Sequence, residues 1–477
     1  MLAHLPEFRL ASRRSIRLPE LRHVPVSERI AAIIDHPAMQ RLRRVRQLGP
    51  THLVYPGAVH TRFEHVIGVF DLARHYLVAL DRDPLVSASL TEADINVCLL
   101  ACLLHDIGHY PFAHSLEALH HKGQETARHE DIGARILRGQ VPTLCGDSSL
   151  GGLIEQHFGV DVEEVCALMT QKPGSHERPE RRLVATILSS GIDADKADYL
   201  ERDSLHMGVS YGRHHDRARF LESLCASPEG DRIALTSKGK TAAETFVFCR
   251  YTMFSEAYWH HTVRAVSAMV ERALADMQER DAMAPAALET LLLAHDDDGL
   301  LHLLRDRAPR ESATAALLGA LTAGRRSLHK RVLTLSRVAA DLRLPAAYER
   351  VYGLRWPELD VLERLLLERV EREVGAVLPR HALLVDTPPR DKDRTETVQV
   401  VYEDGGQRRA YWLEEQSRVV QGIATDFVKV VKKIRIFIAA DARDAIAARG
   451  RLPALREVLL DTILNFSPEQ ALQPRLI

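Results

Sequence analysis

The residues best equipped for chemistry lie in LLHDIGHYPFAHSLE, Leu103 to Glu117. An apolar helical run ends there in His105-Asp106, so an imidazole and a carboxylate leave one rigid helix end as two metal ligands. His109 follows one turn later, and His114 and Glu117 come three residues apart beyond Pro111. A lone His-Asp pair is ordinarily a hydrogen-bonded pair or surface chemistry. Three further segments argue for more than that. HTRFEHVIGV (His60 to Val69) opens a helix with Arg62 three residues before His65. RHED (Arg128 to Asp131) opens another at His129. GIDADKADYLERDS (Gly191 to Ser204) sets Asp195, Lys196, Tyr199, Arg202 and Asp203 in two stripes at i, i+3, i+4 spacing, which suits a metal ligand beside phosphate contacts. Residue chemistry alone reaches metal-assisted phosphoester hydrolysis and stops there.

The chain around these residues has a composition ordinary for a soluble globular protein. It has 477 residues, 46% hydrophobic and 27% charged, more than one core needs. Sixty-three basic and 65 acidic residues leave a net charge of −2, with no global pull towards nucleic acid or an acidic membrane. The apolar run Val97 to Leu104 is too short to span a bilayer, and the basic N-terminus lacks a following apolar stretch. The six cysteines form no CxxC pair and read as buried thiols of a reducing cytoplasm. Histidine is the outlier: ten of 24 fall between His52 and His129.

Periodicity predicts a mainly α protein. Helices are expected at Ser27–Ile34, Pro37–Leu48, His65–Leu80, Thr91 to about Gly108, His129–Leu137, Ala194–Leu205 and, as one long element, Lys238–Gln278. The texture changes near Pro379, where short β-branched runs at Ala382–Val385, Thr397–Tyr402 and Ile434–Ala439 suit strands. The expected organisation is a helical domain over residues 1–378, its core about 27–275, followed by a small α+β lobe over 379–477.

His65, then His105-Asp106, then a distant Asp195 resembles the HD superfamily. The fuller set resembles its deoxynucleoside triphosphate (dNTP) triphosphohydrolase branch: QRLRRVRQLG (Gln40 to Gly49), YPGAVHTRFEHVIGV, LLHDIGHYPFAHSLE, RHED and GIDADKADYLERDSLHMG, with YTMFSEAYWHHTVRA (Tyr251 to Ala265) a weaker match. The resemblance implies that His65, His105, Asp106 and Asp195 hold one divalent transition metal. Two imidazoles with two carboxylates suit Mn, Fe, Co, Ni or Zn, with Mg accompanying a substrate triphosphate. It implies that His109, His114, Glu117 and His129 surround the scissile phosphate, His114 with Glu117 delivering the proton to the leaving oxygen and His129 the runner-up. Arg62, Lys196 and Tyr199 would bind phosphates. Gln47, Leu48 and Asp203 would frame the deoxyribose, and Tyr258 would pack near sugar or base. The matching motifs begin near the N-terminus, leaving no room for a preceding SAM domain.

The implied partners are a dNTP substrate, an activating nucleotide and further copies of the chain in a cytoplasmic homo-oligomer. Departures limit the transfer: Phe254–His261 lacks the arginine cluster of the vertebrate relative, and Trp259 stands where a small polar residue is expected. Base preference is therefore not carried over. Rival readings are a phosphohydrolase of monophosphates, cyclic or signalling nucleotides, a di-iron oxygenase on the same scaffold, and a non-catalytic nucleotide or nucleic-acid binder.

Overall fold

Glu92–Leu104 is apolar around its whole circumference, and Ile95 to Leu104 are buried without exception. A helix of that kind must be sheathed by others. It is: the helices Arg62–Leu80, Val162–Thr170 and Pro179–Leu188 pack around it. Its start is fixed by a capping box, in which Thr91 Oγ1 accepts from the Asp94 amide (3.2 Å) and Asp94 Oδ2 accepts from the Thr91 amide (3.0 Å). Arg62–Leu80 packs in turn on Ala194–Met207. Three helices thereby bring His65, His105-Asp106 and Asp195 to one place. The structure is a computed structural model that describes residues 2–9, 14–19, 22–112, 127–146, 149–281, 283–322, 326–388 and 398–467.

The fold is mainly α, as the periodicity predicts, with three small sheets among the described residues. Strands β1 (Arg14–Leu18) and β2 (Arg22–Val26) form an antiparallel hairpin. Strands β3 (Leu224–Ala226) and β4 (Ile233–Thr236) share a sheet with β7 (Gln399–Asp404) and β8 (Gln407–Trp412), in the order β3-β4-β7-β8. Strands β5 (Lys330–Leu335), β6 (Leu383–Asp386) and β9 (Ile434–Ile438) form the third sheet, antiparallel in the order β5-β9-β6. This last sheet carries a second apolar core with the helices Arg343–Val351, Trp356–Val374 and Leu452–Leu464. Apolar packing crosses position 378/379 in both directions: Leu362 and Leu366 join the second core, while Val400 and Leu413 join the first.

Three predicted helices fall short: the one expected from Thr91 to about Gly108 ends at Leu104, where the Ile107 and His109 amides bond carbonyls three residues back, and two others yield to tertiary contacts. The helix expected over Pro37–Leu48 stops at Arg41, passes through a 3₁₀ turn at Leu42–Arg44, and then extends. Pairing wins over local propensity there, because the Arg62 amide donates to Val45 O (2.9 Å) and the Gln47 amide to His60 O (3.0 Å). The element expected over Lys238–Gln278 breaks into Lys240–Thr252, a π turn at Met253–Tyr258, and His261–Arg280. The His260 ring accepts from the Thr262 amide (3.3 Å) and caps the second helix. The turn is paid out in side-chain contacts: Phe254, Tyr258 and Trp259 cluster with Phe427 and Val431. Across the break, Arg435 Nη2 donates to Trp259 O (2.7 Å), and Arg264 makes a two-pronged bond to Asp386 (3.1 and 2.5 Å).

All six cysteines are free thiols, five of them buried. Among the described residues no helix is long and apolar enough to cross a membrane. Beyond the central helices, the His215 ring lies edge-on to Phe220 and Phe246 with Nε2 3.3 Å from Glu201 Oε1. Burial opposes its charge, but Cys249 and Glu201 outweigh burial and raise its pKa to about 9. The folded state thus binds this proton more tightly than the unfolded chain. The stabilisation is complete below the ordinary histidine value near 6.5 and is lost as pH rises through 9. We expect the melting-temperature gap between wild type and His215→Gln to narrow steadily from pH 6.5 to 9.5. A gap independent of pH would contradict the pairing.

Candidate metal centre

His65 sits in the first turn of Arg62–Leu80, 1% exposed. Its Nδ1 bonds Asp198 Oδ2 (2.9 Å), which leaves Nε2 facing Asp195 Oδ1 at 3.0 Å and Asp106 Oδ2 at 3.9 Å. His105 is the C-cap of Glu92–Leu104, and its Nδ1 donates to Cys102 O (3.0 Å). Its Nε2 then lies 3.4 Å from Asp106 Oδ1 and 3.6 Å from Asp195 Oδ1. Each ring has one nitrogen tied to the protein, which fixes its orientation and aims the other into a shared space. His105 Nε2 is buried with no hydrogen-bond partner among the described residues. Ligand atoms of His65, His105 and Asp195 all lie within 4.8 Å of one another.

The electrostatics describe a place short of positive charge. Burial would neutralise Asp106, yet Arg62, His105 and His109 hold its carboxyl well below the usual range. Asp195 is likewise held down against burial by His105 and His65. Burial opposes a charge on His65, but hydrogen bonds to Asp195 and Asp198 raise it to about 10. His105 moves up for the same kind of reason, through Asp106 and Asp195. Carboxylates kept ionised beside imidazoles drawn towards protonation fit a divalent cation, which would take the place of those protons.

A second group shares Asp106. His109 Nε2 is 3.2 Å from Asp106 Oδ1, and its ring stacks on His129 with centroids 3.7 Å apart. The three side chains also have ligand atoms within 4.8 Å of one another. Gly108 permits this approach: a Cβ there would lie 2.0 Å from His129 O and 2.5 Å from the Gly133 amide nitrogen. Arg41, buried, ties the same turn down by donating to Ile107 O (2.8 Å) and His109 O (2.6 Å). Burial, Arg62 and His129 depress the His109 pKa well below the usual value. Arg62 Nη1 donates to Asp106 Oδ2 at 2.5 Å. The two remaining expected catalytic residues, His114 and Glu117, lie outside the described residues.

The expected sugar and phosphate contacts fall into two sets. Asp203 accepts from Tyr258 OH (2.6 Å) and bonds His60 Nε2 (2.7 Å), and Tyr199 meets Tyr258 edge-on at 6.3 Å. Gln47 adjoins them through its backbone bond to His60; it is buried, and its Oε1 has no partner among the described residues. Leu48 is half-buried beside it. Lys196, by contrast, is engaged locally, its Nζ 2.7 Å from Asp193 Oδ2.

The candidate residues named from sequence omit Asp198 and His60, which hold His65 and Asp203. The signal for Asp198 was its position three residues after Asp195 and four before Arg202, to which it is doubly bonded (2.7 and 2.6 Å). We expect Asp198→Asn to weaken metal binding about 10- to 100-fold, measured by competition against a chelator of known affinity with metal content read by mass spectrometry. Unchanged affinity would show that Asp198 does not orient His65.

This geometry can now be set beside known proteins. The description "HD domain" matches residues 62–203, and "HD associated region" matches 215–452. The uncharacterized protein YwfO of Bacillus subtilis is 32% identical over 273 residues, 56% of this chain and 57% of YwfO. The deoxynucleoside triphosphate triphosphohydrolase SAMHD1 homolog of Dictyostelium discoideum is 29% identical over 264 residues, 54% of this chain and 48% of that protein. The chain thus spans about half the length of the curated relatives it matches. A solved phosphohydrolase structure from Bacteroides thetaiotaomicron has the same fold, with a TM-score of 0.63 at 21% identity over 89% of this chain and 99% of that one. The His105-Asp106 pair and its partners therefore lie within an HD domain, residues 62–203, which an HD-associated region follows at 215–452.

Proposed function

We propose that the protein hydrolyses dNTPs to the deoxynucleoside and inorganic triphosphate. The observation that carries the reading is the convergence of His65, His105, Asp106 and Asp195 beside the Asp203–Tyr258 pair. The first group offers metal-assisted attack on a phosphate and the second a frame for a sugar hydroxyl. The likeness to a relative named as a dNTP triphosphohydrolase supports the same choice.

His65, His105, Asp106 and Asp195 would hold one Mn, Fe, Co, Ni or Zn ion, which supplies a polarised phosphoryl oxygen and a water acidic enough to ionise near neutral pH. The chain's own groups do the rest. Arg62, against Asp106, neutralises charge on the phosphates, joined by Tyr199 and by Lys196 once it leaves Asp193. Asp203, Tyr258 and Gln47 hold the deoxyribose, with Leu48 and the ring of Tyr258 crowding the 2′ position. Oxygen from water bonds to the α-phosphorus, and the bond from that phosphorus to the 5′ oxygen breaks. The departing 5′ oxygen takes a proton from His114, with Glu117 its expected partner from sequence, or from His129. His109, stacked on His129, keeps Asp106 in place. A Mg ion accompanying the triphosphate, an activating nucleotide and a homo-oligomer belong to the same reading.

One observation favours a second reading. The Asp106–His109–His129 group would suit a second ion, as in two-metal hydrolases or oxygenases on this scaffold. Counting metals per chain separates the two.

The test is product analysis. Metal-loaded protein is incubated with each dNTP, singly and in mixtures with GTP, and products are resolved by anion exchange beside a His105→Ala, Asp106→Ala double variant. Deoxynucleoside with intact triphosphate is expected from wild type, and a loss of at least about a thousandfold in the variant. Monophosphate plus pyrophosphate, or no turnover of any mixture, would overturn the proposal.

A further inference from the structure

Asp297 opens the helix Asp297–Arg307 in the HD-associated region, far from the HD domain in sequence and 1% exposed. Its two carboxylate oxygens face two different segments of the HD side. Oδ2 accepts from the Arg46 amide at 2.9 Å, and Oδ1 from the Phe112 amide at 3.4 Å. Arg46 immediately precedes Gln47 and Leu48, the expected sugar frame. Phe112 lies three residues after His109.

Both segments need such a tie. Arg46 pairs with Thr61 through a single β-bridge, so the strand has little ladder of its own to hold it. Phe112 sits at φ +55°, a conformation that bulky residues rarely adopt unless the surroundings impose it. It packs against Gly49, itself at φ +50°, where a Cβ would come within 3.3 Å of the Phe112 Cα and Cδ1. A strained Phe112 therefore meets the Gly49 turn face to face, and one carboxylate holds the backbone of both segments. The neighbouring Asp298 adds a two-pronged bond to the Arg46 guanidinium (3.0 and 2.7 Å), but its side chain is 63% exposed and solvent screens it.

We propose that Asp297 is a positioning residue that locks the Gln47–Leu48 segment to the turn after His109, so that the HD-associated region sets the spacing between sugar frame and metal-bearing turn. Its kinetic consequence rests on the dNTP reading above, whereas its structural consequence does not. Binding energy for the sugar is realised only if Gln47 stays in register with the His109 turn.

The experiment uses the full chain, metal-loaded, as wild type, Asp297→Ala, Asp297→Asn and Asp298→Ala. Hydrogen exchange read by mass spectrometry follows peptides covering residues 45–49 and 110–112. Steady-state kinetics with the preferred dNTP give KM and kcat. Asp297→Ala should speed exchange in those two segments alone, keep its metal, and raise KM about tenfold with a smaller change in kcat. Asp297→Asn, which keeps one acceptor oxygen, should recover part of both effects. Asp298→Ala should match wild type within about twofold. Unchanged exchange in Asp297→Ala would overturn the proposal, as would exchange raised throughout the chain or loss of metal, because Asp297 would then be a general prop. If wild type turns over no dNTP, the functional reading fails by itself, and the exchange pattern still decides whether Asp297 joins the two segments.

Discussion

Three carboxylates gather around His65 in a helical bundle, Asp106 and Asp198 buried and Asp195 partly exposed, and the arrangement around them follows from keeping them charged there. Ionised carboxylates out of water are tolerated only when paired and hydrogen-bonded. Asp198 is satisfied by Arg202 and by His65 Nδ1. Asp106 is satisfied on one side by Arg62 and faces His105 and His109 on the other. Asp195 depends on the two imidazoles. Asp198 thereby sets the direction of His65, and the Cys102 carbonyl sets that of His105. The free nitrogen of each ring points at the same carboxylates. The arrangement is held in advance of any ligand by groups that do not themselves touch the shared space.

Rigidity at that point comes from the central helix. Glu92–Leu104 is enclosed on every side, so His105 and Asp106 leave a fixed end and not a mobile loop. The turn that follows is bound from one side by Arg41 and approached from the other by Asp297. The HD-associated region also reaches the opposite wall. Tyr258 meets Asp203 from a π turn whose end is held by Arg435 on β9. Strands far along the chain thus brace residues that face the sugar frame.

Much of this was readable in the residues. Ser27 stands before an apolar helical pattern, and its Oγ does accept from the Ile30 amide (3.2 Å). The apolar run before His105 announces a buried helix, and the resemblance to the HD superfamily implies that His65 and Asp195 share its site. What could not be read depends on contacts between distant segments. Nothing local in Val45–Gln47 says that it leaves its helix to pair with residues 60–62. Nothing local in Met253–Tyr258 says that the helix widens there, because the cause is an aromatic cluster with Phe427 and a hydroxyl reaching Asp203. β5 and β8 were missed because charged and polar residues interrupt the apolar alternation in KRVLTL and QRRAYW. Asp198 was overlooked among five charged neighbours on one helix, where only the fold shows which carboxylate faces His65.

The most direct test of the account is a crystal of the metal-loaded protein, with anomalous scattering collected above and below the absorption edge of the bound metal. The account predicts one strong peak bounded by His65 Nε2, His105 Nε2, Asp106 and Asp195, lost in Asp195→Ala. A peak confined to Asp106, His109 and His129, or none from protein shown to carry stoichiometric metal in solution, would contradict it.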